Sequence, residues 1–218
     1  MSDEAIAEFD DELDEDSEEF DADDEFDPRA DGPFDFDEVD LDLDAEGVER
    51  VAFGPLVITP FEGLGLQLHG DPESGTVRAL LAAYGESGLE LALFAAPRSD
   101  GLADELREET IEEATQAGGH AEVADGPFGP EVRRVLPMEG PEGEQLFHVS
   151  RIWLVEGPRW LLRGTLMGRA GMVEGEAEPA DVFVEFFRNI VVKRDDAPRV
   201  PGELIHLALP QGAGDAQG

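Results

Sequence analysis

The sequence predicts an α+β domain: a single antiparallel sheet with two helices packed on one face, preceded by a disordered acidic arm. Three observations predict it. Residues 1–46 carry twenty-four Asp or Glu against one basic residue, Arg29, a net charge of about −23. From Gly47 onward, short apolar runs alternate at period two, as half-buried strands do. Two segments, near 99–117 and 180–190, instead space their apolar residues as a helix does. Strands, helix, strands, helix is the order of an α+β domain. The organisation read from this is an arm over 1–46, a globular domain over 47–200 and an extended tail over 201–218.

In the arm, bulky apolar residues stand singly among acids: Phe9, Leu13, Phe20, Phe26, Phe34, Phe36, Val39, Leu41 and Leu43. So few cannot offset the entropy of ordering the backbone, and like charges repel, so the arm alone is expected to be disordered. Acidic and apolar residues in alternation also dock onto basic, apolar-lined proteins. Phe20, Phe26, Phe34, Phe36, Leu41 and Leu43 are the docking candidates, with a basic protein as the partner. Residues 34–44, FDFDEVDLDLD, alternate at period two and can add an edge strand. No calcium-loop pattern is present.

In the body, Arg50–Thr59 reads as a strand broken at Gly54-Pro55, and Gly65–His69 as the next. Asp71–Gly75 is a turn by composition. Thr76–Tyr84 and Leu89–Ala96 flank a turn at Gly85–Gly88. Ser99 or Asp100 can cap the first helix, where Leu102, Leu106, Thr110, Ala114 and Ala117 mark one face with Ile111 beside it. Glu105, Glu108, Glu109, Glu112 and Glu113 face water, and Gly118-Gly119 ends the helix. Strands follow at His120–Ala124, Glu131–Leu136, Gln145–Val155 and Arg159–Met167. In the last, Trp160, Leu162, Gly164 and Leu166 share one face, and Arg159, Leu161, Arg163, Thr165 and Met167 the other. Pro179 opens the second helix, Ala180–Asn189, whose stripe is Val182, Phe183, Phe186, Phe187 and Ile190. Ile190–Lys193 can add a strand, and Pro201–Pro210 is extended around the apolar run Leu204–Leu209.

This element order resembles the sheet-and-helix fold shared by photosystem PsbP proteins and Mog-type Ran-binding proteins. At residue level, LFAAPRSDGL (93–102), GGHAEVADGPFGPEVR (118–133), GPRWLLRG (157–164) and FFRNIVVKRDDAP (186–198) carry a second likeness. Through them the sequence resembles a family of actinobacterial proteins known as domain of unknown function 3710. The likeness covers about residues 47–210 and implies a soluble actinobacterial protein. It implies no reaction, ligand or catalytic residue.

The whole chain has a formal charge of −38, so the body beyond the arm is itself acidic, at about −15. That argues against direct nucleic-acid binding, which wants a basic stripe, and against an anionic membrane surface. Scarce lysine with abundant Asp, Glu, Ala and Gly fits a GC-rich, salt-adapted source, which accounts for part of the charge without a function. With no cysteine, disulfides, thiolate metal sites and Cys nucleophiles are excluded. No secretory signal and no membrane-spanning run is visible, so a soluble, cytoplasmic protein is expected.

Chemistry is sparse. His69, His120, His148 and His206 include no i,i+4 pair and no H-E-x-x-H, so no metal is expected. No G-x-S-x-G and no phosphate loop is present, and no cofactor is expected. Arginines are the best candidates because they are scarce in an acidic body. Arg98 precedes the first helix; Arg159 and Arg163 share a strand face beside Trp160. Arg98, Arg159, Trp160 and Arg163 are therefore the binding candidates, able to hold an acidic group or to dock the acidic arm as a cover. The expected function is a non-catalytic protein- or ligand-interaction module whose arm tunes partner choice. The alternatives are an enzyme with a His/carboxylate pocket between sheet and helices, and a chaperone-like assembly accessory protein.

Overall fold

The computed structural model describes residues 27, 29–40, 50–71 and 76–210. Among them are twelve strands and two α-helices. The strands are β1 (Phe34–Asp35), β2 (Val51–Phe53), β3 (Leu56–Ile58), β4 (Gly65–Asp71), β5 (Thr76–Tyr84) and β6 (Ser87–Ala95). After α1 (Leu102–Gln116) come β7 (His120–Gly126), β8 (Gly129–Glu139), β9 (Gln145–Gly157) and β10 (Trp160–Gly168). After α2 (Asp181–Arg188) come β11 (Val191–Val192) and β12 (Leu204–Ile205).

Two meanders make the larger sheet. Short turns force β4, β5 and β6 into one antiparallel run and β7 to β10 into another. The runs join where β10 pairs with β6 over nine residues, from Trp160↔Ala95 to Gly168↔Ser87. The order is β4-β5-β6-β10-β9-β8-β7, with β12 also paired to β6. Leu204 and Ile205 sit opposite Phe94 and Leu93, past the point where β5 leaves β6, and Leu207 bridges Val77. The stretch read as an extended tail thus carries a strand of the sheet, with Ile205 and Leu207 buried.

The expectation of a single sheet with both helices on one face is overturned. The protein is mostly β, with a second, four-stranded sheet in the order β1-β11-β3-β2. The break at Gly54-Pro55 is the physical reason for half of it. Gly54 takes φ 68° and proline follows, the pattern of a type II′ turn, so Arg50–Thr59 folds into the hairpin β2–β3. Val191 then pairs with Val57 on one side and, in parallel, with Phe34 on the other.

The helices lie on opposite faces of the larger sheet, as the alternation along β10 shows. Trp160, Leu162 and Leu166 share a core with Phe183, Val184, Phe186 and Phe187 of α2 and with Phe53, Leu56 and Ile58 of the small sheet. Leu161, one residue out of phase, joins Ile152, Leu154 and Val132 beneath Leu102, Ala103 and Ala114 of α1. Each fully buried large side chain contributes about 1.5–3 kcal/mol of transfer free energy, so both packings hold the sheet. Gly164 is small for a reason: an added Cβ would come within 2.7 Å of the Phe187 ring. The five glutamates assigned to the outer face of α1 are all exposed.

The segment 29–40, read as part of a disordered arm, is docked on the body. Phe34 and Asp35 form β1, and the amide of Phe34 donates to the Ile190 carbonyl at 3.0 Å. Residues 36–38 make one 3-10 turn capped by Asp35, whose Oδ1 accepts from the Asp37 amide at 3.0 Å. Residues 41–49 lie outside the described residues, as do residues 72–75 of the turn expected at Asp71–Gly75. No helix among the described residues is long and apolar enough to cross a membrane.

Candidate functional site: an arginine-lined cleft

The β9–β10 hairpin closes on a two-residue turn, Pro158-Arg159, between the paired residues Gly157 and Trp160. Pro158 presets the first central position of such a turn, but the second calls for positive φ and is ordinarily Gly or Asn. Here it is Arg159, at φ 61°, alone among the described non-glycine residues in that region. The turn points its side chain into a cleft of about 910 Å³ at this end of the larger sheet.

The opposite wall is the β6–α1 connection, which brings Arg98 into the same cleft, and the first turns of α1 bring Arg107. The docked N-terminal segment adds Asp27 and Arg29 at the rim. Neither Ser99 nor Asp100 caps α1. The Glu156 carboxylate does so from β9, accepting the amides of Gly101 at 3.1 Å and Leu102 at 2.9 Å. The positive end of that helix is therefore already answered.

The four guanidiniums of the cleft divide into two pairs. Arg29 is engaged, donating to Glu38 at 2.7 and 3.0 Å while lying over the Trp160 ring. That hydrogen bond raises the Arg29 pKa and holds the Glu38 carboxyl below its ordinary value. Arg107 is engaged too, with Asp104 and the Pro130 carbonyl. Arg98 and Arg159 have no ion pair among the described residues. Arg98 is exposed and Arg159 half-buried.

Two of the four predicted binding residues therefore meet, and two do not. Trp160 is fully buried in the α2-side core, and its Nε1 donates to Asp35 Oδ2 at 2.7 Å. It anchors the N-terminal segment rather than facing a ligand. Arg163 stacks on Phe94, 5.1 Å from the ring centre, in a separate cleft of about 450 Å³ beside His69 and Glu90. Arg134 lies near enough that Arg163, after burial, lowers its pKa. Of the arm's docking candidates, Phe34 lies in β1 and Phe36 lies under Lys193 at 4.4 Å. Phe20, Phe26, Leu41 and Leu43 lie outside the described residues.

Sequence reasoning missed Arg29, Arg107 and Glu156. Arg29 had a signal, as the only base in forty-six residues. Nothing in the sequence sets Arg107 apart from any arginine on a helix surface, and Glu156 was one acid among fifty-three. A buried cluster was also missed. Glu131 accepts from Arg151 Nε at 2.9 Å, from Trp153 Nε1 at 2.8 Å and from Arg133 Nε at 3.1 Å. Arg151 Nη2 also donates to Glu131, at 2.9 Å, and its Nη1 donates to the carbonyls of Val173 and Gly175. Every polar atom there is used, so the cluster clamps the 169–175 segment and offers no free valence.

The histidines do not converge. His69 is on β4 and His120 on β7, opposite edges of the larger sheet and about 29 Å apart at ~4.8 Å per strand. Among the described residues no three His, Asp or Glu side chains are placed to share a metal ion.

Fold and cleft together define a two-sheet, mostly-β protein with a cleft in which four arginines stand against three acids, Asp27, Asp100 and Glu156, in an otherwise acidic body. The chain belongs to the family described as Protein of unknown function (DUF3710), whose sequence profile matches residues 32–216. That range takes in β1 and β12, so the family spans both sheets. No curated protein matches the chain. Among solved structures, the solution structure of cyanobacterial PsbP (CyanoP) from Synechocystis sp. PCC 6803 is similar at 9% identity. It covers 66% of this chain and 92% of that one, with a TM-score of 0.37.

Proposed function

We propose that the protein is a non-catalytic binding module whose arginine cleft seats a carboxylate- or phosphate-bearing group of a small ligand or partner. One observation carries this reading. Arg98 and Arg159 line a single cleft and lack an ion pair among the described residues, in a chain with 53 carboxylates to choose from. Arg159 does so from a backbone conformation that a non-glycine side chain pays to adopt. A guanidinium presents a rigid fork that matches carboxylate and phosphate oxygens, and the volume falls within the usual range for small-ligand clefts.

The enzymatic alternative needs histidines gathered between sheet and helices, and they are spread across the sheet instead. The test is calorimetric titration of the full chain with citrate and with inorganic phosphate at low ionic strength. A hydrogen bond to a charged group contributes about 1.5–3 kcal/mol, so Arg98→Ala or Arg159→Gly should each weaken binding about tenfold or more. Equal binding by the wild-type chain and both variants would remove the cleft from consideration.

A further inference from the structure

The N-terminal segment enters the body at the rim of the cleft. Asp27 lines it beside Arg29, Arg98 and Arg159. From there the chain is held down step by step. The Arg29 amide donates to Asp27 Oδ1 at 2.8 Å, Arg29 pairs with Glu38, Asp35 holds Trp160, and β1 pairs with β11. The covalent chain of residues 1–26 therefore joins the described structure at Asp27, in the wall of the cleft.

Those 26 residues carry fifteen Asp or Glu and no Lys, Arg or His, with four acids between Asp21 and Glu25 alone. At up to about 3.5 Å per residue, a chain of that length is long enough to reach Arg98 and Arg159 from Asp27, and covalent linkage holds its carboxylates at an effective concentration on the order of millimolar. Of the four arginines that line the cleft, Arg98 and Arg159 are the two without an ion pair among the described residues. The arm that composition offers to a basic partner has one on its own chain.

We propose that the acidic segment 1–26 docks its own carboxylates on Arg98 and Arg159, so that the arm occupies the cleft and competes with any external anion. This rests on the cleft being an anion site, and it deepens that reading into regulation. An external ligand sees only the fraction of molecules whose cleft is open, and its apparent affinity falls by that fraction. A partner that draws the arm away opens the site.

The chain has no cysteine, so Ser17→Cys gives a unique thiol for a nitroxide label on the full-length protein. At low salt the label should broaden the amides of Ser99, Gly101 and Arg159. It should spare Phe147, ten residues along β9 at the far end of the sheet. The broadening should fade with added salt, with citrate, and in the Arg98→Ala/Arg159→Gly double variant. Absent broadening, broadening indifferent to the double variant, or broadening seen only between labelled and unlabelled chains in a mixture would each overturn docking within one chain.

A second full-length variant, with the fifteen acids of residues 1–26 changed to Asn or Gln, should bind citrate about threefold to tenfold more tightly. Unchanged citrate affinity in that variant overturns the competition and leaves the cleft standing as an anion site. Broadening that persists while neither chain binds citrate supports the docked arm and removes the external-ligand reading instead.

Discussion

At Arg159 the backbone and the side chain want different things. Left-handed φ costs an L-residue about 1–2 kcal/mol, and glycine would adopt it without penalty. The neighbouring Gly157 cannot relieve the turn, because a Cβ there would strike the Trp160 ring. Arg159→Gly should therefore stabilise the fold by up to about 1 kcal/mol in urea denaturation while it weakens citrate binding. Opposite signs in the two assays are the mark of a residue kept for binding. If the variant were destabilised instead, the guanidinium would be serving the fold and the strain argument would fail. Residue-scale chemistry was only partly legible in the sequence. Scarcity made Arg98 and Arg159 visible, because fourteen arginines and one lysine stand against fifty-three acids. The same imbalance hid Glu131, Glu156 and Glu38, since nothing in a one-dimensional pattern separates a buried, capping or clamping carboxylate from a wet one.

Elements held together by local rules were readable, and those made by distant pairing were not. The hairpins β4–β5–β6 and β7–β8–β9–β10 follow from alternation and turn residues, and their predicted spans differ from the observed ones mostly at the ends. β1 and β11 have two residues each and pair in parallel across most of the chain. The sequence marked residues 34–44 and 190–193 as possible strands, but no local pattern says that two such short pieces pair with each other and with the 51–58 hairpin, so the small sheet was not foreseen. The docked segment that carries β1 also has a predictable weakness. Docking favours the charged form of Glu38, whose pKa is held down first by its hydrogen bond from Arg29. Its contribution is thus complete above the free glutamate value of about 4.3 and is lost as pH falls through the lowered one. The Trp160 indole N–H resonance, which reports the Asp35 hydrogen bond, should move as the pH drops below the ordinary glutamate range while β10 stays folded. In Glu38→Gln that low-pH step should be diminished. An indole signal indifferent to acid, or a step unaltered by Glu38→Gln, would show that the Arg29–Glu38 pair does not hold the segment.

For the whole molecule, the dominant quantity is charge. A formal −38 on 218 residues repels itself, and that repulsion opposes the compact state more than any surface ion pair supports it. Most of the ion pairs among the described residues are exposed on at least one side, and such pairs contribute about 0–1 kcal/mol each. The Glu131–Arg151 pair, at 1% exposure on both sides, is the one that salt barely reaches. Added salt should therefore stabilise the protein. Raising ionic strength from about 0.01 to 0.15 M shortens the screening length from about 30 to 8 Å, which removes long-range repulsion before it weakens close contacts. The urea midpoint of the full chain should rise over that interval. Neutralising the fifteen acids of residues 1–26 leaves a charge of −23 and should flatten the rise. The size of the flattening tells where the arm sits. An arm held against Arg98 and Arg159 has part of its charge answered, so removing it also removes attraction that salt weakens, and the two slopes converge. An arm that only repels the body gives the neutralised chain a clearly shallower slope. A midpoint that falls with salt in both chains would mean that ion pairing outweighs self-repulsion, and the charge would then be holding this fold together.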